Sequence, residues 1–125
     1  VNDTNYYNGE SSSYLIRQEA QELSLSVPAF DYAYGQIFTI GGEELHGFLM
    51  SVGQEYVHVA NIGIIRHVLE TLYGETIATG YYNFVMNNWR WTSTQNIATD
   101  AWYSSSNAGS NLKSNSNVVL PVYAC

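Results

Sequence analysis

Short alternations of apolar and polar residues recur along most of the chain, and they predict a protein built mainly from β-strands. In residues 23–30, LSLSVPAF, Leu23, Leu25 and Val27 alternate with polar neighbours until Pro28, as in a half-buried strand that ends at a proline. Further strands are predicted at residues 35–42, 45–53, 55–61, 75–84 and 117–124. The pattern therefore predicts an all-β fold, an antiparallel β-sandwich or jelly roll, in a single domain spanning residues 1–125.

Two segments depart from this alternation. Residues 14–23, YLIRQEAQEL, fit one short helix. Residues 62–74 fit either a helix or a strand, and the residues at helical spacing are Ile65, Leu69 and Leu72, with Gly74 as a C-cap. Gly63 near the start of this segment, and the strands predicted on both sides of it, favour a strand. The helical alternative stays open from the pattern alone.

Residues 81–96, YYNFVMNNWRWTSTQN, predict a β-hairpin in which Asn87 and Asn88 form the turn, because asparagine tolerates a positive φ. One face of this hairpin would carry the apolar and aromatic side chains of Tyr82, Phe84, Met86, Trp89 and Trp91. The other face would carry Asn83, Arg90 and Thr92. Most of these aromatic side chains are therefore expected in the core, and the polar face is available for contacts.

The charge of the chain narrows the classes of partner. The formal net charge is −7, only 12% of the residues are charged, and the strong cations are Arg17, Arg66, Arg90 and Lys113, far apart in sequence. A nucleic-acid groove or an anionic membrane requires clustered Lys and Arg, so neither is expected as a partner. No apolar run has the length of about eighteen residues that membrane insertion requires. The single cysteine, Cys125, cannot form an intrachain disulfide and is predicted to be a terminal thiol without function.

No motif in the chain predicts catalysis. Three Glu/His pairs are spaced by three residues: Glu43 and His46, Glu55 and His58, and His67 and Glu70. The first two pairs lie in predicted strands, where positions i and i+3 face opposite sides, so neither pair is expected to bind one metal. Nucleophile-elbow, P-loop and dinucleotide-binding motifs are absent from the sequence. We therefore expect a protein that is not an enzyme, with no catalytic residue, no cofactor and no metal.

The remaining class is a binding or structural module. Tyr and Trp provide rigid amphipathic area, and Ser, Asn and Gly provide adaptable hydrogen bonds, as in polar recognition surfaces. The stretches QIFTIGG, HGFLMSVG, TIATGYYNF and VVLPVYA occur in an order that resembles the receptor-binding head domains of virus and bacteriophage fibres. This resemblance implies a homotrimeric β-sandwich on an extracellular or virion surface. It also implies recognition of a glycan or a cell-surface protein receptor on a host.

The polar face of the hairpin and the adjoining loops supply the predicted ligand-binding residues. They are Asn83, Asn87, Asn88, Trp89, Arg90 and Tyr103. Arg90 pairs either with an anionic sugar or with a structural carboxylate, since cations are scarce in this chain. Two other functions fit the same composition. One is a secreted carbohydrate-binding lectin, and the other is a structural subunit of a capsid, pilus or matrix.

Overall fold

The computed structural model describes residues 7–97, 100–106, 108–113 and 116–124, so the terminal thiol Cys125 lies outside the described residues. Within them the chain forms five helices and five strands. In chain order these elements are α1 (Gly9–Glu22), α2 (Pro28–Gly35), β1 (Ile37–Ile40), β2 (Glu43–His46), α3 (Val52–Ala60), α4 (Ile62–Tyr73), α5 (Glu75–Asn87), β3 (Arg90–Ile97), β4 (Asp100–Ser104) and β5 (Ala108–Leu112).

The fold is mixed α/β, and the prediction of an all-β sandwich or jelly roll is wrong. Within the described residues the five helices provide most of the regular structure, and the five strands form only two small sheets. The predicted helix at residues 14–23 is confirmed as part of α1, and the predicted strand at residues 35–42 is confirmed as β1. Most of the other predicted strands are helical in the structure.

Local helix signals explain two of the wrong strands. Pro28 occupies the first turn of α2, where its fixed φ suits a helix and its missing N–H has no consequence. Ser51 and Gln54 form a capping box at the start of α3, each side chain bonding to the backbone of the other. The strands predicted at residues 23–30 and 55–61 are therefore replaced by a turn leading into α2 and by α3.

Helices α4 and α5 form a helical hairpin in place of two predicted strands. Gly74 ends α4 and precedes α5 with a positive φ of 94°, which favours glycine. The helical alternative for residues 62–74 is confirmed, and the preference for a strand there is wrong. Residues 75–84, which include the stretch TIATGYYNF, lie in α5. The predicted hairpin at residues 81–96 is also wrong, because only its second half becomes a strand.

The two sheets are small and antiparallel. β1 pairs with β2 across Gly41 and Gly42, whose positive φ angles of 58° and 81° permit the tight turn between them. The second sheet has the order β3-β4-β5, with Trp91 opposite Tyr103 and Tyr103 opposite Gly109. The strand predicted at residues 117–124 is reduced to two isolated bridges. These bridges join Val118 to Arg90 and Val122 to Phe48.

The core lies between the second sheet and helices α1 and α3, which both contact β3. Its buried apolar side chains are few, and among the described residues they are Ile16, Ala20, Ala33, Leu49, Val52, Ile62, Ala78 and Val85. Buried hydroxyls connect the layers: Thr94 Oγ1 accepts a hydrogen bond from Val52 N at 3.0 Å, and Ser13 Oγ accepts one from Leu49 N at 3.2 Å. Such bonds satisfy polar groups that burial would otherwise penalise.

Helix α4 leaves much of its apolar surface exposed, including Ile64, Val68 and Leu72. These positions are spaced by four residues, so they form one stripe along the helix. No helix within the described ranges has both the length and the apolar character needed to cross a membrane.

Candidate ligand-binding site

The end of helix α5 places three of the predicted ligand-binding residues in one turn. Asn87 is the last helical residue, and Asn88 has extended backbone angles of −119° and 134°. Asn88 Nδ2 donates a hydrogen bond of 2.9 Å to the Phe84 carbonyl, so the Asn88 side chain folds back over the last helical turn. Trp89 then connects the helix to β3, which begins at Arg90.

Arg90 fixes this turn from inside the protein. Its side chain is fully buried, and Nη1 donates hydrogen bonds to the carbonyl oxygens of Val85 and Asn88, the latter at 2.9 Å. These carbonyls lie at the C-terminal end of α5, where helical partners are missing and a cation is favourable. Arg90 Nε donates to Glu55 Oε2 at 2.8 Å, which joins the turn to α3. Arg90 therefore positions the turn and does not itself face a ligand.

Glu55 and His58 also meet, contrary to the prediction that their spacing separates them. Both lie on helix α3, where positions i and i+3 share a face, and His58 Nδ1 lies 2.7 Å from Glu55 Oε1. His58 Nε2 lies 2.7 Å from the Tyr81 hydroxyl. Both carboxylate oxygens of Glu55 therefore have protein partners. In the part of the chain that the structure describes, no group of three or more His, Cys, Asp and Glu side chains is placed to hold a metal.

The buried network changes the acidity of two of its members. Burial alone would raise the pKa of the Glu55 carboxyl, but the hydrogen bonds from His58 and Arg90 and the charge of Arg90 more than offset this effect. The pKa of Glu55 therefore lies below its ordinary value, and the carboxylate is ionised at neutral pH. Burial and the nearby Glu55 carboxylate raise the pKa of the Tyr81 hydroxyl.

Trp89 and Tyr103 form an aromatic stack at the surface beside this turn. Their ring centroids are 4.7 Å apart, and the ring planes differ by 19°. The Trp89 side chain nevertheless remains 52% exposed, so a large part of the indole faces solvent. Gly109 lies opposite Tyr103 on β5, and a Cβ at that position would come within 2.7 Å of the Tyr103 hydroxyl. The absence of a side chain at Gly109 thus allows the Tyr103 ring to lie where it supports Trp89.

A shallow depression of about 400 Å³ adjoins the exposed indole. We call it the Trp89 depression, and its walls are formed by Asn87, Asn88, Trp89, Ser116, Asn117 and Val118. The Nδ2 atom of Asn117 is buried and has no hydrogen-bond partner among the described residues. A buried amide donor without a partner is uncommon in proteins, so it offers a ligand an unused hydrogen bond.

The structure brings four of the six predicted ligand-binding residues together and separates two. Asn87, Asn88 and Trp89 line the depression, and Tyr103 supports the Trp89 ring. Asn83 is exposed on helix α5 but does not line the depression. Arg90 is fully buried and forms a salt bridge with Glu55, so its guanidinium is not exposed at the depression.

The sequence prediction missed Ser116, Asn117 and Val118. Ser116 and Asn117 end a Ser- and Asn-rich stretch, residues 104–117, in which no single asparagine differs from its neighbours by pattern. Their position depends on a long-range pairing: Val118 N donates to Trp89 O at 2.8 Å, and Trp91 N donates to Val118 O at 3.0 Å. The residues around Val118 contain no local sequence pattern that predicts this pairing with Trp89 and Trp91.

No protein family model, no curated protein and no solved structure matches this chain.

Proposed function

We propose that this protein is a non-enzymatic recognition module that binds a glycan at the Trp89 depression. The observation that carries the proposal is the half-exposed indole of Trp89, held in place by its stack on Tyr103. A tryptophan side chain combines a large apolar ring with an N–H donor, so an exposed indole held in one orientation suits a partner with an apolar face. The C–H face of a sugar ring is such a partner.

The groups around the indole suit the hydroxyls of the same sugar. Asn87, Asn88 and Asn117 each carry an amide, which can both donate and accept hydrogen bonds. Ser116 adds a hydroxyl. A concave site with an aromatic surface and a few convergent polar groups is typical of small-ligand recognition. The neutral lining favours an uncharged sugar, because none of the described residues that line the depression is Lys, Arg, Asp or Glu.

The proposed biological role is recognition of a glycan on a host-cell receptor, by a protein at an extracellular or virion surface. The resemblance to fibre heads implied a β-sandwich, which the fold contradicts, so this role stays a prediction that rests on the Trp89 depression. The alternative of a secreted lectin uses the same surface and differs only in its biological setting. Glu55, His58 and Tyr81 do not line the Trp89 depression, so we propose no catalytic role for them.

A structural subunit is the second candidate function, and the exposed stripe of Ile64, Val68 and Leu72 on α4 favours it. An apolar stripe of this kind is typical of a surface that contacts another subunit. Light scattering of the purified protein separates the two functions, because assembly into large particles is expected only of the structural subunit. A homotrimer is compatible with the glycan-binding function.

Replacing Trp89 with alanine is expected to weaken glycan binding by about tenfold or more, which corresponds to about 1.4 kcal/mol. The fold should survive, since the indole is half exposed and the aromatic pair contributes at most about 1.5 kcal/mol. Binding is measured on immobilised glycans and then by calorimetry in solution, with unfolding in urea as the check on the fold.

Tyr73→Ala is the matched control, because Tyr73 is an aromatic residue that is 66% exposed at the end of α4, outside the depression. Its affinity for the glycan should equal that of the unmodified protein. The proposal is wrong if Trp89→Ala binds as tightly as Tyr73→Ala. It is also wrong if no member of a broad glycan panel binds the unmodified protein.

A further inference from the structure

A larger groove of about 590 Å³ lies beside the Trp89 depression. One wall consists of residues from the start of α2, including Pro28, Ala29 and Phe30, and the other comes from β3. Grooves of this volume are the size class that accommodates drug-sized ligands. The lining is mainly apolar, with the Trp91 indole on the sheet side. We call this cavity the α2 groove.

Two buried polar atoms in the α2 groove lack a partner within the described residues. Ser93 is 2% exposed, and its hydroxyl forms no hydrogen bond. The side-chain nitrogen of Asn117 is also buried and also lacks a hydrogen-bond partner. Both residues belong to the groove walls. Most buried polar side chains in proteins are hydrogen-bonded, so two unused groups in one groove point to a ligand that carries hydroxyl groups.

The α2 groove and the Trp89 depression share part of their lining. Ser116 and Asn117 border both cavities, and Asn117 contributes its unpartnered amide at this shared border. Trp89 lines the depression and Trp91 lines the groove, two positions apart on the same chain segment. The two cavities therefore offer an aromatic side chain each, with a hydrogen-bonding side chain between them.

We infer that the two cavities are subsites of one extended site, and that its ligand is an oligosaccharide rather than a single sugar. This inference rests on the proposed function. One sugar stacks on Trp89 in the depression, and the following sugars pass Asn117 and enter the α2 groove. There Trp91 contacts a sugar face, and Ser93 Oγ bonds a sugar hydroxyl.

The test compares monosaccharides with their own short oligomers, using glucose, galactose, mannose and N-acetylglucosamine with the corresponding linear oligosaccharides. For the sugar that binds, affinity should rise by about tenfold or more from the monosaccharide to the trisaccharide, since a second aromatic contact and new hydrogen bonds are added. Ser93→Ala should lower the affinity for the trisaccharide by about fivefold and leave the affinity for the monosaccharide unchanged.

Ser12→Ala is the matched control, because Ser12 Oγ is also buried without a partner but lies outside both cavities. Both serine variants lose only an unpartnered hydroxyl, so both should fold. Ala29→Trp fills the α2 groove from its α2 wall and should reduce trisaccharide affinity to that of the monosaccharide. Ser93→Ala remains informative if Ala29→Trp fails to fold.

The two proposals fail in different ways. Equal affinity for the monosaccharide and the trisaccharide, with binding still dependent on Trp89, would overturn the extended site and leave glycan recognition intact. A chain-length gain that survives both Ser93→Ala and Ala29→Trp would also overturn it. Absence of binding to every sugar and oligomer would overturn the glycan-binding function itself, and the extended site with it.

Discussion

Replacing Arg90 with alanine is expected to lower the free energy of unfolding by about 3–5 kcal/mol at neutral pH. Arg90 is fully buried, and the Glu55 carboxylate that it pairs with is only 2% exposed. Removing the guanidinium leaves that carboxylate buried with His58 as its remaining side-chain partner. The same change removes hydrogen bonds to the Val85 and Asn88 carbonyls, so the turn that carries Trp89 should loosen as well.

Urea unfolding followed by circular dichroism measures this loss. Asp31→Asn is the comparison, because the Arg17–Asp31 pair has a similar Nε to Oδ1 distance of 2.9 Å but lies at the surface. Exposed ion pairs contribute about 0–1 kcal/mol, so this variant should unfold close to the unmodified protein. Equal losses in Arg90→Ala and Asp31→Asn would contradict the structural role assigned to Arg90.

The loss in Arg90→Ala should also depend on pH. The pKa of Glu55 is lowered in the folded protein, so its ionised form stabilises the fold above the ordinary value of 4.5. That contribution disappears as pH falls through the folded-state pKa. Arg90→Ala lacks the cation that lowers the pKa, so the difference in unfolding free energy should be largest near neutral pH and shrink in acid. A difference that stays constant across this range would contradict the account.

Two glycine-to-alanine changes are expected to shift stability in opposite directions. A Cβ on Gly9 would lie 2.2 Å from the Leu49 carbonyl oxygen and 2.6 Å from Ser51 N, both backbone atoms. The start of α1 must then move away from the segment before α3, with a loss of about 1–3 kcal/mol. The hydrogen bond from Gly9 N to Gln54 Oε1, 2.9 Å long, would be strained by the same movement.

Gly63 is the opposite case, because it lies inside α4 and a Cβ there meets nothing within 4 Å. Alanine restricts the unfolded chain and favours the helix, so Gly63→Ala should raise the free energy of unfolding by about 0.4–1 kcal/mol. Urea unfolding of the two variants side by side provides the measurement. A stabilising Gly9→Ala, or a Gly63→Ala that destabilises as strongly as Gly9→Ala, would contradict the packing described for these helices.

The sequence predicted some elements well because their signals are local. The polar and apolar order of residues 14–23 anticipated α1, and the glycines at positions 41 and 42 bounded β1 correctly. Helices α2 and α3 also have local signals, Pro28 at the first turn and the Ser51–Gln54 capping box, but both were interpreted as parts of strands. The sequence therefore contains local information for both helices, although the alternation of apolar residues at these positions also fits strands.

Helix α5 and the strand after it show a harder limit. Residues 81–96 alternate well enough to form a hairpin, yet the first half is helical and Asn87 and Asn88 end the helix. Short apolar runs fit both the repeat of a helix and the repeat of a strand. The packing of α5 against α4 favours the helix here. The helix also places the Tyr81 hydroxyl beside His58 Nε2.

The candidate site was partly predictable for the same reason. Asn87, Asn88 and Trp89 are adjacent in sequence, so any turn at this point brings them together. Tyr103 joins them through the pairing of β3 with β4, and Asn117 joins them through the Val118 bridge to Arg90. The role of Arg90 depends on Glu55, 35 residues away, and composition alone cannot identify that partner.

The central claim is that Trp89 contacts a glycan, and nuclear magnetic resonance of the tryptophan side chains tests it most directly. The three indole N–H signals, from Trp89, Trp91 and Trp102, are resolved by ¹⁵N labelling and assigned with single Trp-to-Phe variants. Trp102 lines neither cavity and serves as an internal reference. During titration with the sugar that binds, the Trp89 signal should shift and saturate while the Trp102 signal stays in place. A Trp89 signal that remains unchanged at saturating sugar would contradict the account.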